Sequence, residues 1–353
     1  MPQPTWLLYG ANGYTGRRIA REAVSRGMKP VLAGRNAKEI EALAAELHCE
    51  FRVFLVGRAS PLAPQETEQA GTLVLRDVHT VLNCAGPFSQ TGEPMMDACL
   101  AAGANYLDIT GEIPVIEAAA ARNDRALAAR VSLVPAVGFD VVPSDCLAAR
   151  LALQLPGATH LQLAFATSLR MSRGTARTML ERLPDGGRVR RDGRIVRVPT
   201  AWKTLDVPFA TGRRTAVTIP WGDVATAWHT TGIPNIEVYT AMPAERIRTM
   251  RRWRWLLPAL RLRVIRIAMA PLLQKLLADS FAEGGGHEGA SFWGRASDAE
   301  GRSAEATLET LEGYQLTVLT ALAATEKTLA GAVPPGFHTP ARAYGEALLP
   351  QIK

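Results

Sequence analysis

The chain lacks the residue patterns that mark secreted and metal-binding proteins. Its four cysteines show no Cys-x-x-Cys spacing, and its six histidines show no metal-ligand spacing. We therefore expect reduced thiols, a cytoplasmic location and no metal site. The chain also lacks any run of about 18 apolar residues, so we expect no transmembrane helix. The first predicted strand begins too close to Met1 to leave room for a signal peptide.

Length and charge narrow the class of protein further. With 353 residues and an ordinary apolar fraction of 47%, the chain is long enough for two globular domains and too apolar for a disordered chain. The net charge of +7 and the pI near 9.5 favour anionic partners, such as a phosphorylated cofactor, an acidic lipid surface or nucleic acid. Because no nucleic-acid-binding motif is present, we expect no nucleic-acid partner.

A glycine-rich turn near the N-terminus organises the rest of the sequence. An apolar run ends in Gly10, Gly13 and Gly16, and an amphipathic helical pattern starts at once. In the dinucleotide fingerprint G-x-G-x-x-G, Gly13 and Gly16 fit the last two positions, and Gly10 comes one residue early. Such a turn and helix N-terminus bind a pyrophosphate; the alternative is a strand–helix turn without a ligand. The predicted cofactor contacts here are Gly10, Asn12, Gly13, Tyr14, Thr15 and Gly16.

The end of the next predicted strand indicates which nucleotide binds. An NAD-binding fold places an acidic residue there, about 20 residues after the loop, to bind the ribose 2′-hydroxyl. This sequence has Arg35 and Asn36 instead, with Lys38 close behind. A guanidinium can hold a 2′-phosphate through paired hydrogen bonds. We therefore predict NADP(H) as the cofactor, the alternative being an arginine that is merely exposed at a strand end.

Strand-like and helix-like segments alternate from residue 6 to residue 138. This alternation predicts an α/β fold with a Rossmann-type, doubly wound parallel sheet. The fourth strand would end beside the first, at the nucleotide crevice. Further cofactor contacts are therefore predicted after the fourth and fifth strands, at Cys84, Ala85, Gly86, Pro87, Phe88, Gly111 and Glu112. Glu112 could bind a ribose hydroxyl or fix its own loop.

A second α+β domain with a mixed or antiparallel sheet is predicted from strand-like segments at 159–168, 194–200, 215–219 and 235–241.

Several longer motifs resemble a known family. They are Ala33-Gly34-Arg35-Asn36, Asn83-Cys84-Ala85-Gly86-Pro87-Phe88, Tyr106-Leu107-Asp108-Ile109-Thr110-Gly111-Glu112 and Gly138-Phe139-Asp140-Val141-Val142-Pro143-Ser144-Asp145. With the glycine loop, they resemble the saccharopine dehydrogenase-like oxidoreductases, which include trans-acting enoyl reductases. The resemblance implies an NADP-dependent oxidoreductase whose C-terminal helices return to the nucleotide-binding domain. The implied domains are 1–140 plus 310–353 for NADP, and 141–309 for substrate and oligomerisation. A departure at 172–175, where Arg173 replaces a family glycine, leaves the substrate open.

Residues 246–278 of the second domain form a basic segment without an acidic residue. Trp253, Leu256 and Leu260 share one face of a predicted helix, and the arginines occupy its flanks and back. Pro258 is predicted to kink this helix on its polar side. One interpretation is a helix in a membrane or lipid-droplet interface, with peripheral attachment of the protein. The alternatives are packing against the second domain and a homodimer contact.

The catalytic residues are the least defined part of the sequence. No Tyr-x-x-x-Lys pair is present, and the weak candidates for proton transfer are Asp140, Asp145, Lys203, His229 and Tyr239. Three functions remain open. The first, favoured by the family resemblance, is NADPH-dependent reduction of a hydrophobic enoyl or related lipid or polyketide-type substrate. The second is oxidation or reduction of an amino-acid conjugate whose carboxylates bind Arg170, Arg173 and Arg177. The third is a non-catalytic NADP-binding protein at a membrane.

Overall fold

The computed structural model describes residues 4–56, 73–167, 185–257, 259 and 289–349. The chain divides into two compact units, which we call the first unit and the second unit. The first unit comprises Met1–Val142 with Tyr314–Gln351, and the second comprises Pro143–Gly313. Among the described residues, none of the helices is both long enough and apolar enough to cross a membrane.

The secondary-structure elements are numbered here in chain order over the described residues. The strands are β1 (Trp6–Tyr9), β2 (Val31–Gly34), β3 (Phe51–Val53), β4 (Thr80–Asn83), β5 (Asn105–Asp108), β6 (Ser132–Val134), β7 (His160–Ala166), β8 (Gly187–Arg191), β9 (Arg194–Val198), β10 (Thr204–Phe209), β11 (Gly212–Thr218), β12 (Asn235–Ala241), β13 (Ala290–Ser297), β14 (Ser303–Thr310) and β15 (Gly336–Phe337). The helices are α1 (Tyr14–Ser25), α2 (Ala37–Leu47), α3 (Phe88–Ala102), α4 (Ile113–Ala120), α5 (Asn123–Ala129), α6 (Val142–Gln154), α7 (Asp223–Thr231), α8 (Ala244–Trp253), α9 (Gly313–Leu329) and α10 (Pro340–Tyr344).

The first unit is built on a parallel sheet of seven strands in the order β3-β2-β1-β4-β5-β6-β15. In the centre, Leu8 of β1 is in register with Leu32 of β2 and Leu82 of β4. All three side chains are fully buried, because strands covered by helices on both faces are apolar on both sides. The strand order reverses between β1 and β4, where doubly wound folds bind their ligands.

The C-terminal part of the chain completes this sheet. β15 pairs in parallel with β6, and the side chain of Asn123 accepts a hydrogen bond from the Phe337 N–H at 3.0 Å. On α9, the Thr320 hydroxyl donates to the Val137 carbonyl at 2.8 Å, and the Thr317 hydroxyl accepts from the Phe139 N–H at 3.1 Å. These buried bonds fix α9 against the backbone that follows β6.

The second unit contains a mixed sheet whose main path is β10-β11-β12-β7-β13-β14, with β8 pairing with both β12 and β9. The β12–β7 pair is parallel and the other pairs are antiparallel. On one face, Gly294 lies against Leu147 and Leu151 of α6. On the other face, Tyr239 and Trp293 belong to a buried apolar cluster. The two sheets confirm the predicted fold class.

Three helix boundaries differ from the sequence pattern, which predicts helices over 93–102, 115–130 and 146–154, the last with Ser144 as its N-cap. α3 begins at Phe88 rather than at Glu93, because a side chain outside the helix binds its first N–H groups, as described below. The helix predicted over 115–130 is two helices; between them Arg122 turns to bind Asp97 and the Ala118 carbonyl. α6 begins at Val142, so Ser144 lies inside it and is not its N-cap. Proline is tolerated at position 143 because first-turn N–H groups have no intrahelical partner.

Candidate functional site

The glycine loop between β1 and α1 is closely packed around its own backbone. Gly10 has a φ of +81°, and a Cβ there would lie 2.8 Å from the Ala85 nitrogen. A Cβ at Gly16 would lie 2.2 Å from the Gly10 carbonyl oxygen. Both positions therefore require glycine. Gly10 needs it for its positive φ and because the segment after β4 comes close, and Gly16 needs it because α1 comes close to the end of β1.

The N-terminus of α1 is suited to an anion. Its N-cap is Gly13, which provides no side-chain acceptor, and its first turn contains no acidic residue. The N–H groups of Tyr14, Thr15 and Gly16 thus lie in the helix turn where a phosphate oxygen binds best. The Tyr14 ring is 57% exposed and packs edge-on against Tyr314 at 4.9 Å between centroids. These features fit a pyrophosphate-binding loop.

Glu39 of α2 fixes this loop, a contact that sequence reasoning missed. Its carboxylate accepts hydrogen bonds from the Asn12 side chain at 3.0 Å and from Arg17 at 3.3 Å. The same carboxylate accepts from the Asn36 amide at 2.8 Å, while Asn36 caps α2 by accepting the Glu39 N–H. The Asn36-x-x-Glu39 spacing is that of a capping box and was the available signal. Asn12 and Asn36 therefore have structural roles in the loop and the helix cap.

The end of β2 presents two cations. Arg35 and Lys38 are exposed, and neither makes a hydrogen bond or an ion pair with the described residues. Glu39, the nearest acidic residue in sequence, is occupied by Asn12, Arg17 and Asn36. This edge of the sheet therefore offers positive charge rather than a free carboxylate, as a ribose 2′-phosphate requires.

The segment after β4 lies directly beside the glycine loop. Ala85 contacts Gly10, and its N–H donates to the side chain of Asn83 at 3.0 Å. Removal from water, and then the nearby charge of Asp108, raise the pKa of the Cys84 thiol far above its usual range. Gly86 is exposed, with Phe88 as its nearest contact for an added Cβ at 3.8 Å. The structure thus brings Cys84, Ala85 and Gly86 to the edge where the glycine loop lies.

Glu112 binds the beginning of α3. Its carboxylate accepts the N–H of Phe88 at 2.8 Å and that of Ser89 at 3.2 Å, and the residue is only 4% exposed. Pro87 is the N-cap residue and supplies no side-chain acceptor. Glu112 thus acts as a helix cap from another segment. Of the two roles considered for Glu112, this geometry favours the fixing of a loop.

Two further carboxyl groups lie near the ends of β5 and β6. Asp108 is fully buried and accepts hydrogen bonds from the Tyr106 hydroxyl, the Thr110 N–H and the Ala136 N–H, at 2.7, 3.0 and 2.8 Å. Burial raises its pKa to about 6 in spite of these bonds. Asp140 packs against Gly111, where an added Cβ would lie 2.8 Å from its Oδ2. Removal from water raises the pKa of Asp140 to about 7.

The other weak catalytic candidates lie in the second unit. Asp145 is fully buried on α6 and accepts the Thr230 hydroxyl at 2.5 Å. Lys203 and Tyr239 bind the same carboxylate, that of Glu237, with Lys203 Nζ at 2.6 Å from Glu237 Oε1. Burial, and then the bond to Glu237, raise the pKa of Tyr239 well above its usual value. These contacts give the three residues structural partners within the second unit.

Some predicted residues lie outside the described part of the chain. They are Arg170, Arg173, Arg177, Pro258 and residues 260–278 of the basic segment. Over the described residues 246–257, the helix ends at Trp253, which is earlier than predicted. The residues described also contain no cluster of three or more His, Cys, Asp or Glu side chains that could hold a metal ion.

The parallel sheet, its strand order and the glycine loop of the first unit are those of a Rossmann-type dinucleotide-binding fold. Residues 6–134 match the family model of the saccharopine dehydrogenase NADP binding domain. This match confirms the resemblance seen in the sequence and supports NADP(H) as the cofactor.

Curated relatives match about two fifths of the chain. A probable mitochondrial saccharopine dehydrogenase-like oxidoreductase of Arabidopsis thaliana is 31% identical over 157 residues, which is 41% of this chain and 34% of that protein. A trans-acting enoyl reductase of Mycobacterium leprae is 31% identical over 144 residues, covering 39% of this chain and 33% of that protein. The alignments thus span about a third of the length of these relatives.

A solved structure matches over almost the whole length. Apo saccharopine dehydrogenase (L-Glu forming) from Saccharomyces cerevisiae has a TM-score of 0.62 and 11% identity, covering 98% of this chain and 95% of that one. At this identity the match shows a common fold. Both units of the present chain therefore follow the architecture of that protein.

Proposed function

We propose that this protein is an NADPH-dependent reductase of a hydrophobic substrate with a C=C bond conjugated to a carbonyl. The observation that carries the NADPH dependence is the pair of exposed cations Arg35 and Lys38, just after β2 and beside the glycine loop, which make no hydrogen bond or ion pair with the part of the chain that the structure describes. In our proposal the first unit is the NADP domain, and the second unit binds substrate. The relation to a trans-acting enoyl reductase supports the substrate class.

The residues of the first unit fit the cofactor in three places. The N–H groups of the first turn of α1 would hold the pyrophosphate, and Arg35 with Lys38 would hold the 2′-phosphate. The small residues Ala85 and Gly86 would leave room for the ribose and the nicotinamide. When bound, NADPH supplies a hydride to the electrophilic carbon of the substrate.

Asp140 is the residue that we assign to proton transfer. Reduction of a conjugated C=C bond requires one proton at the carbon next to the carbonyl, in addition to the hydride. With a pKa of about 7, the carboxyl group of Asp140 is protonated in a substantial fraction of molecules at neutral pH. Asp140 also packs against Gly111, one of the predicted cofactor contacts. These two observations, the pKa near neutrality and the place beside Gly111, support the assignment of Asp140.

A turnover screen tests the proposal. Purified protein is mixed with NADPH and enoyl thioesters of increasing chain length, with the matching saturated thioesters and NADH as controls. We expect NADPH oxidation with the enoyl compounds alone, at a rate that falls as the pH rises above about 7 because Asp140 loses its proton. The Asp140→Asn variant should lose about 100-fold or more in kcat while it keeps its affinity for NADPH.

Other outcomes would decide between the alternatives. Turnover with an imine formed from an amino acid and an aldehyde, but with no enoyl thioester, would support the amino-acid conjugate as substrate. Tight NADPH binding without turnover of any compound would contradict the reductase and support a non-catalytic protein. Absence of NADPH binding would overturn the proposal entirely.

We also propose a cytoplasmic location. All four cysteines are free thiols, as in proteins of reducing compartments. The names of related proteins include a mitochondrial oxidoreductase and a lipid droplet localized protein of Caenorhabditis elegans. Fractionation of cells that express the protein with a C-terminal tag would distinguish the cytosol, mitochondria and lipid droplets.

A further inference from the structure

One segment of the second unit, residues 244–257, combines exposed aromatic side chains with a high density of arginine. Residues 244–257 contain five arginines and a single acidic residue, Glu245. At the end of this segment Trp253 is 50% exposed, Trp255 70% and Leu256 39%. Large exposed apolar side chains are ordinary when scattered singly, but a group of this kind among charged residues marks an interaction site.

The segment is held on its own unit by its other side. Ile247 of α8 is buried in a cluster with Ala201 and Val217, with Met250 packed against it. Arg251 donates from Nε to the Ala201 carbonyl at 2.8 Å. The helix therefore already has an apolar contact with its own core. Trp253, Trp255 and Leu256 lie beyond that contact, so packing against the described residues of the unit does not account for them.

Further positive charge lies next to the same anchor point. Arg251 also donates to the Trp202 carbonyl at 3.4 Å. The Trp202 ring has the Arg191 guanidinium at 4.5 Å and Lys203 Nζ at 4.3 Å from its centroid. Within α8, the acidic Glu245 is paired with Arg248 at 3.5 Å. The surface thus has a net positive charge, with tryptophan side chains among the cations.

We propose that Arg248, Arg252, Trp253, Arg254, Trp255 and Leu256 form a docking surface for an anionic lipid bilayer. Tryptophan favours the level of the lipid headgroups, because its ring is apolar and its N–H is polar. Arginine side chains extend their apolar stems along the interface and bind lipid phosphates with the guanidinium. Nucleic acid would be attracted by the same positive charge. An exposed leucine beside two tryptophans, however, adds most to the binding free energy when it enters an apolar phase, which a bilayer provides.

Vesicle co-sedimentation tests the surface. The full chain, with NADPH present, is mixed with phosphatidylcholine vesicles with and without phosphatidylglycerol. We expect binding to the anionic vesicles, weakening as salt is added. Replacement of three arginines (R248Q/R252Q/R254Q) should weaken binding roughly 100-fold, and W253A/W255A should weaken it roughly tenfold. The matched control is R150Q/L153A on α6, which removes an exposed arginine and the 82% exposed Leu153 from elsewhere in the same unit.

A second measurement separates lipid insertion from attraction by charge alone. Vesicles with brominated acyl chains should quench the fluorescence of wild-type protein, and much less that of W253F/W255F. The proposed docking surface would be ruled out if the protein did not bind anionic vesicles. It would also be ruled out if the wild type, R248Q/R252Q/R254Q, W253A/W255A and the control all bound equally. Binding to heparin or DNA without binding to vesicles would identify a polyanion site instead. Concentration-dependent dimers lost in W253A/W255A, without vesicle binding, would identify a subunit interface.

Discussion

The carboxylate of Glu112 accepts the backbone N–H of Phe88 at 2.8 Å, although the two residues are 24 positions apart in the sequence. The bond joins the segment after β5 to the first turn of the helix after β4. Because Ser89 donates to the same carboxylate at 3.2 Å, one side chain satisfies two of the N–H groups at the start of α3. The edge of the sheet that carries the candidate site is thus held together by a buried carboxylate.

Replacement of Glu112 by Gln is expected to destabilise the protein. The amide keeps the volume of the side chain, but it has one acceptor oxygen and brings an NH₂ group toward a backbone N–H. We expect the free energy of unfolding, measured by urea titration, to fall by about 1–3 kcal/mol. The control is Glu41→Gln on the exposed side of α2, expected within about 0.5 kcal/mol of wild type. Equal effects of the two variants would contradict the capping role.

Gly16→Ala should be far more damaging than Gly86→Ala, although both glycines are predicted to contact the cofactor. The added methyl group at Gly16 would lie 2.2 Å from the Gly10 oxygen, whereas at Gly86 the nearest atom is 3.8 Å away. We expect a loss of about 1–3 kcal/mol or more for Gly16→Ala and little change for Gly86→Ala in thermal unfolding without cofactor. Similar melting temperatures for both variants would show that the loop adapts to a side chain at position 16.

The pair Arg35 and Lys38 should determine the choice between NADPH and NADH. In Arg35→Ala/Lys38→Ala we expect the binding free energy of NADPH, measured by calorimetry, to weaken by about 1–3 kcal/mol, the range of charged hydrogen bonds. NADH affinity should not change, because NADH has no 2′-phosphate. Lys29→Ala removes an exposed positive charge from the residues preceding β2 and should leave both affinities intact. An equal loss for NADPH and NADH would contradict phosphate recognition.

The parallel sheet was predictable because its strands are short apolar runs that alternate with amphipathic helices. Leu8, Leu32 and Leu82 are recognisable as core from such runs alone. The strand β15 was not predicted, since a pair such as Gly336-Phe337 has no periodicity. Its place depends on long-range bonds, such as that from Phe337 to Asn123.

The residues that support the site were harder to predict than those that line it. Glycine and arginine have recognisable roles at fixed distances from a strand. In contrast, the contacts of Glu112 with Phe88 and of Glu39 with Asn12 join segments whose proximity exists only in the folded sheet. The residue for proton transfer was hard to predict for the same reason, because the pKa of Asp140 depends on its partial removal from water beside Gly111 rather than on its sequence neighbours.

The raised pKa of Asp140 makes a measurable contribution to the pH dependence of stability. In the unfolded chain an aspartate has a pKa of about 3.9, whereas in the folded protein it is about 7. Between these values the folded state binds more protons than the unfolded state, so the free energy of unfolding falls as pH rises. This contribution is complete below about pH 3.9 and is lost as the pH rises through about 7.

Asp140→Asn removes this titration while keeping the size of the side chain. We compare the free energy of unfolding of the wild type with that of Asp140→Asn by urea titration. Relative to the variant, the wild type should be less stable at about pH 8 than at about pH 5, by about 2–3 kcal/mol. The titration of Asp108, whose pKa is raised to about 6, is present in both proteins and cancels in the difference. A difference that stays constant over this range would mean that Asp140 titrates below pH 5. In that case it would be ionised at neutral pH and could not supply the proton.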